Sequence, residues 1–248
     1  MKTYKFIFNK EILKDVVTAL KDLAKIDPMI KIKFDEEHIL FYSKSGTMHS
    51  IKAFKSFMFN TDELIISKET INIDFIILNG KNFVDNLSIM LSKDNDVACK
   101  ISYNEGSKNA NMMEISNGSM KFKFVSGDYT QIKDISKLEI ATKMNPDLSN
   151  FDFTINKEIF TDIKKLSKLN KSEIINFKVK NNTVYFFDKK WQLQIDTVDY
   201  EDGIYTFNNK YIQSINMAEE IKINVFEHFI LIKDGFVTLL IGLELSEL

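Results

Sequence analysis

The residues of this chain whose type and spacing could do chemistry are lysines. Lys14, Lys21 and Lys25 fall at i, i+7 and i+11 with Thr18 between them, and Lys164, Lys168 and Lys171 fall at i, i+4 and i+7 with Lys165 beside them. At the 3.6-residue period each set makes a line of ammonium groups along one helix face. Such a line can attract phosphates. The chain has no arginine, so all 33 formal cations are lysines. A lysine ammonium is a flexible point charge, whereas base-edge readout and bidentate phosphate grips favour the arginine fork, so the contact implied is loose and blind to base sequence. A charged helix face is ordinarily a solvated surface. An AT-rich coding sequence would also favour lysine over arginine.

Other chemistries find little support. His38, His49 and His228 lie far apart in strand-like runs with no carboxylate or cysteine at metal-ligand spacing. Asn79, Gly80 and Lys81 resemble a fragment of a phosphate loop, but the full GxxxxGK[ST] pattern is missing. Asp94, Asn95 and Asp96 lack the central glycine and distal glutamate of a calcium loop and read as a turn. No nucleophile elbow, HExxH helix or serine, histidine and acid grouping occurs, so the expectation is a protein that is not an enzyme, with no cofactor and no metal. Cys99 is the only cysteine, which excludes a disulfide framework. The longest apolar runs are interrupted within about ten residues, so no membrane segment is expected and a reducing cytoplasm is the expected compartment.

The lysine helices recur within a duplication. Residues 7–15, IFNKEILKD, match residues 154–162, TINKEIFTD, and in each copy a strand runs into a helix that an asparagine, Asn9 or Asn156, can cap. On the first helix Ile12, Val16, Leu20 and Leu23 face a core; on the second Ile159, Ile163 and Leu166 do so, with Phe160 flanking. Alternating runs at 29–34, 38–43, 47–54 and 70–78 read as strands, followed by a helix over 81–91 and strands at 97–103, 112–116 and 120–125. Residues 128–150 carry neither period and read as a connector. The second half repeats the order: strand 151–155, helix 157–170, strands at 173–179, 183–188, 191–198 and 203–207, a helix over 209–217, and strands at 221–226, 229–233 and 236–244. The expected fold is α+β: two similar domains, 1–128 and 151–248, joined by a connector at 129–150, with two helices gathered on one face of antiparallel sheet in each. The formal net charge of −2 argues against a general nucleic-acid binder, so any such role rests on local asymmetry. Lys81 and Lys210 open the second helix of each half, while acids concentrate in turns and near the C-terminus.

The NKEI repeat, the stretch ILNGKNFVDNLSIMLSKDNDVACKIS with the MKFKFVSGD strand after it, and the closing segment YTFNNKYIQSINMAEEIKINVFEHFILIKDGFVTLLIGLE together resemble the DNA sliding clamps, those of tailed bacteriophages more than cellular proliferating cell nuclear antigen. The resemblance covers nearly the whole chain. It implies a homotrimer of two-domain subunits closed into a ring, sheets outside and helices lining a hole that holds double-stranded DNA. It further implies tethering of a DNA polymerase, loading by a clamp loader, and, for a phage protein, a place in the host cytoplasm. The implied DNA contacts are Lys14, Lys21, Lys25, Lys81, Lys164, Lys165, Lys168, Lys171 and Lys210. Lys14 to Lys25 would span about 16 Å at 1.5 Å per residue. The implied subunit interface joins the strand of Met120, Phe122 and Phe124 to that of Trp191, Leu193 and Ile195. Partner peptides would dock near Ile140, Met144, Leu243 and Leu245. The competing reading is a monomeric accessory protein that grips single-stranded DNA, which needs aromatic platforms beside the lysines; Tyr211 is the nearest.

Overall fold

The computed structural model describes residues 1–35, 38–46, 51–60, 65–66, 72–92, 96–128, 132, 145–215, 219–234 and 237–245. The chain divides into two compact units, one of Met1–Lys44 with Lys55–Lys133 and one of Ser45–Phe54 with Asp134–Leu248.

The first unit begins with β1 (Lys2–Phe8), whose Tyr4, Phe6 and Phe8 are buried at a period of two. Asn9 then caps α1 (Lys10–Ile26), its side-chain oxygen accepting from the Ile12 amide at 2.9 Å. After α1 come β2 (Ile30–Phe34), β3 (His38–Gly46) and β4 (Ile51–Asn60), of which Ser45, Gly46 and residues 51–54 belong to the second unit, then the two-residue β5 (Ile65–Ile66) and β6 (Ile73–Ile77). Asn79 caps α2 (Gly80–Leu91), and β7 (Val97–Tyr103), β8 (Ala110–Ser116) and β9 (Lys121–Val125) complete the unit. Gly80 is closely packed: an added Cβ would stand 2.7 Å from the end of the Ile30 side chain, which would have to shift, and 3.0 Å from the Pro28 carbonyl oxygen. The core gathers the inner faces of α1 and α2 onto the strands, centred on Phe6, whose ring meets Phe8 at 5.0 Å and Phe34 at 5.5 Å.

The second unit repeats the plan. Its elements are β10 (Phe151–Asn156), α3 (Lys157–Leu169), β11 (Ile174–Lys180), β12 (Thr183–Phe187), β13 (Gln192–Thr197), β14 (Gly203–Asn208), α4 (Asn209–Gln213), β15 (Glu220–Val225), β16 (Phe229–Asp234), β17 (Val237–Gly242) and β18 (Glu244–Leu245). The duplication extends to strand pairing. β1 pairs antiparallel with β7, which continues to β8 and β9; likewise β10 pairs with β15, which continues to β16 and β17. β2 lies between β3 and β6, and β11 lies between β12 and β14. The second core is aromatic, with Phe153, Phe177, Phe186 and Phe207 buried and Tyr205 stacked on Phe177 at 4.6 Å.

The α+β architecture with two helices per unit is as expected. The boundaries shift at both ends of the expectation: α4 is a five-residue helix rather than 209–217, and β5 was not foreseen. No described helix is long and apolar enough to cross a membrane.

Candidate nucleic-acid interface

On α1, Leu13, Val16, Val17, Leu20 and Leu23 are buried. Lys14, Thr18, Lys21 and Lys25 are consequently exposed on the opposite side. Lys25 is engaged by its own helix, its Nζ 2.8 Å from Asp22 Oδ1. Asp22 is itself buried and also faces the buried Lys55 ammonium at 3.4 Å. Lys14 and Lys21 form no ion pair among the described residues and stand two turns apart.

On α3 the buried side chains are Phe160, Ile163 and Ser167, whereas Ile159 and Leu166 are half-buried. The core-facing stripe is therefore rotated by about one residue from the expected one. The rotation draws Lys164 toward the core boundary. It is half-buried over the Phe160 ring, and its Nζ donates to the Ile215 carbonyl at 2.8 Å. Lys165 is exposed and lies 3.7 Å from Asp162. Lys168, in the last turn, and Lys171, just beyond the helix, are exposed and unpaired among the described residues. Asn156 caps α3 as Asn9 caps α1, accepting from the Ile159 amide at 2.9 Å.

The remaining two lysines open their helices. Lys81 is exposed in the first turn of α2. Lys210 is exposed on α4, its ammonium 4.7 Å from the Tyr211 ring centre. Tyr211 is itself buried at 3 % exposure, and its hydroxyl donates to Ser45 at 3.1 Å. A ring fixed in this way offers no open face to a base, so the aromatic platform that single-strand binding requires is not at this position.

The two strands of the expected interface lie at sheet edges among the described residues. β9 ends the order β5-β1-β7-β8-β9 with β8 as its hydrogen-bonded neighbour, and β13 ends β13-β12-β11-β14-β18 with β12 as its ladder partner, while Thr154 N of β10 donates to Asp196 Oδ2 at 2.9 Å. Met120, Phe122 and Phe124 turn into the first core, where the Phe124 ring meets Phe83 at 4.6 Å. Asn117 N donates to Met120 O, and Ser126 N donates to Asn111 O. Backbone groups of an antiparallel strand alternate in direction, so the N–H and C=O groups of Phe122 and Phe124 also face β8, and those of Lys121, Lys123 and Val125 face away from it. On β13, Asp188 N donates to Trp191 O, and the same alternation turns the backbone of Gln192 and Gln194 away from β12. Trp191, Leu193 and Ile195 are half-buried, and the buried Trp191 indole N–H has no acceptor among the described residues. Lys121 hydrogen-bonds Glu114 at 2.9 Å and holds that carboxyl below its ordinary value.

Solved structures of replication proteins share this duplicated plan. The DNA polymerase III beta subunit from Thermotoga maritima superposes with a TM-score of 0.67 at 10 % identity, over 98 % of this chain and 65 % of that one. The Helicobacter pylori beta clamp bound to a DNA ligase peptide gives 0.66 at 14 % identity, over 98 % and 67 %. The DNA polymerase III beta chain of Streptococcus pneumoniae gives 0.67 at 12 %, over 99 % and 66 %. The fold is that of the sliding clamps. The chain spans about two thirds of the length of these bacterial clamps. No protein-family model matches the sequence, and no curated protein matches it.

Within the clamp fold the expected peptide-docking residues are only partly placed. Ile140 and Met144 lie outside the described residues. Leu243 is half-buried, with its amide donating to the His228 carbonyl at 2.8 Å, and Leu245 sits in β18 opposite Tyr205. Sequence reasoning missed Lys189 and Lys190, which are exposed in the β12–β13 turn close to Lys171. The one available signal was a lysine pair after Asp188, and it reads as an ordinary polar hairpin.

Proposed function

We propose that this protein is a DNA sliding clamp: a homotrimeric ring that encircles double-stranded DNA and tethers a DNA polymerase, with a clamp loader to open it. The observation that carries the reading is that β9 and β13, the two strands of the expected interface, each end a sheet among the described residues, in a chain whose fold is that of the clamps over 98 % or more of its length. An exposed strand edge is an aggregation hazard unless something covers it. Head-to-tail pairing of β9 with β13 of the next subunit covers both edges at once, and a repeated contact of this kind closes into a ring when the rotation from one subunit to the next is one third of a turn.

Lys14, Lys21, Lys81, Lys168, Lys171 and Lys210 then supply the phosphate contacts, with Lys25 and Lys165 as contributors already engaged by acids of their own helices. Lys164, held by a backbone carbonyl, is left out. Point-charge contacts give every register along the duplex a similar energy, which is the physical requirement for sliding. Leu243 and Leu245 are the proposed docking residues for partner peptides. The Helicobacter pylori beta clamp has been solved bound to a DNA ligase peptide. The sequence likeness of the closing segment supports kinship with tailed-phage clamps, and so replication in a host cytoplasm.

A covalently closed ring tests the proposal. Cys99 is buried, so new surface cysteines can be addressed selectively. A Lys123→Cys, Gln194→Cys variant is assembled on a nicked circular plasmid and bridged with a bis-maleimide. The protein is expected to stay with the circle in detergent and to leave when the plasmid is linearised. Loss from the intact circle would contradict encirclement.

A further inference from the structure

We propose that the cleft beyond the end of α3 takes a backbone phosphate of duplex DNA, held by Lys171, Lys189 and Lys190, so that the lysine line of α3 continues through the β12–β13 turn. The inference rests on the clamp reading and adds to it a site on the β12–β13 turn. The cleft measures about 480 Å³, and Lys171, Ser172, Ile174, Asp188, Lys189 and Lys190 are among its walls.

Two turns build it. α3 ends at Leu169, and Lys171 adopts φ 52°, a left-handed conformation that reverses the chain toward β11 while its amide donates to the Lys168 carbonyl. On the other side Asp188 closes the β12–β13 turn. Its carboxylate accepts from the Ser172 hydroxyl and from the Lys189 amide, which fastens the two turns together.

The charges are disposed for an anion. Asp188 is occupied by those hydrogen bonds, while the ammonium groups of Lys171, Lys189 and Lys190 form no ion pair among the described residues. Glu173 is the other acid in the lining. Three cations against two carboxylates leave a formal excess of one positive charge, which matches one phosphodiester. Ile174, an exposed apolar side chain, is also in the lining. The Ser172 and Thr206 hydroxyls already donate to Asp188 and Asn176, so the three lysine ammonium groups are what the cleft offers a phosphate.

The test is the salt dependence of binding to a fluorescent 30-base-pair duplex, followed by anisotropy for the full-length protein. Every phosphate that is no longer neutralised lowers the slope of log K against log[salt] by about 0.9. A Lys189→Gln, Lys190→Gln variant is expected to lose about 0.9 in slope, the share of one phosphate, with unchanged thermal unfolding, and Lys171→Gln alone up to about the same. Lys14→Gln, Lys21→Gln is the reference for the helix track. If the reference lowers the slope and the turn variants do not, the cleft proposal falls and the clamp reading stands; if no variant lowers it, both fall. Inorganic phosphate and an acidic peptide are titrated separately by amide NMR. Saturable shifts at Lys189 and Lys190 with either one, together with an unchanged duplex slope, would assign the cleft to that ligand and overturn the proposal.

Discussion

Replacing Lys123 by proline should take the ring apart while leaving the subunit folded. The backbone of Lys123 faces away from β8, so proline removes an N–H that the β8–β9 ladder does not use. Proline is tolerated on an edge strand in this orientation. An incoming strand, however, meets the pyrrolidine ring where it needs a donor. Lys121, Lys123 and Val125 together offer the outward N–H and C=O groups of β9, and each backbone bond contributes about 1 kcal/mol net. The missing bond and the wedge beside it remove roughly three such bonds, about 3 kcal/mol, which weakens each interface on the order of a hundredfold. Sedimentation across a concentration series measures this: a closed trimer has three such interfaces and its midpoint varies as the square root of the trimer dissociation constant, so the midpoint of assembly should move up by about a thousandfold, with the far-ultraviolet circular dichroism unchanged. Gln194→Pro on β13 should do the same. A Lys123→Pro protein that assembles at the wild-type midpoint would refute pairing through this edge. Phe124→Lys is a poorer probe, because Phe124 packs on Phe83 inside the first core.

Further outcomes follow from individual contacts. Asn156→Ala removes the cap that accepts from the Ile159 amide and should cost about 1 kcal/mol, read as a drop of about 2–4 °C in the unfolding temperature. Asp22→Ala removes a carboxylate that faces the buried Lys55 ammonium and should lower stability in denaturant unfolding by more than Lys25→Ala at the exposed end of the same cluster. Burial pushes the Tyr4 phenol up to about 12, so between pH 10 and 12 the unfolded chain has released a proton that the folded one keeps. Stability should therefore fall across that window by about 1.4 kcal/mol per pH unit from this group, and Tyr4→Phe should flatten the fall.

Much of this architecture was legible in the sequence because it depends on local signals. The paired Asn-capped helices, the alternating strands and the Asn117–Gly118 hairpin each declare themselves within about ten residues. What escaped depended on distant partners. Ile159, Phe160, Ile163 and Leu166 form an apolar arc wide enough for two orientations of α3, and only the sheet beneath it selects Phe160 and Ile163. That choice determines the fate of Lys164, whose acceptor at Ile215 lies 51 residues away. Asp22 looks like one more solvated acid on a helix until Lys55 arrives from β4. Lys31, in a strand with alternating lysines, is buried against Asp74 at 2.7 Å for the same kind of reason. The lysine faces could be drawn from periodicity, but which ammonium groups remain free could not.

The mass of the wild-type protein in solution, by light scattering, tests the central claim most directly. Three copies of a 28.8 kDa chain predict about 86 kDa, independent of added DNA. A stable 28.8 kDa monomer at tens of micromolar, binding single strands more tightly than duplex, would contradict the ring.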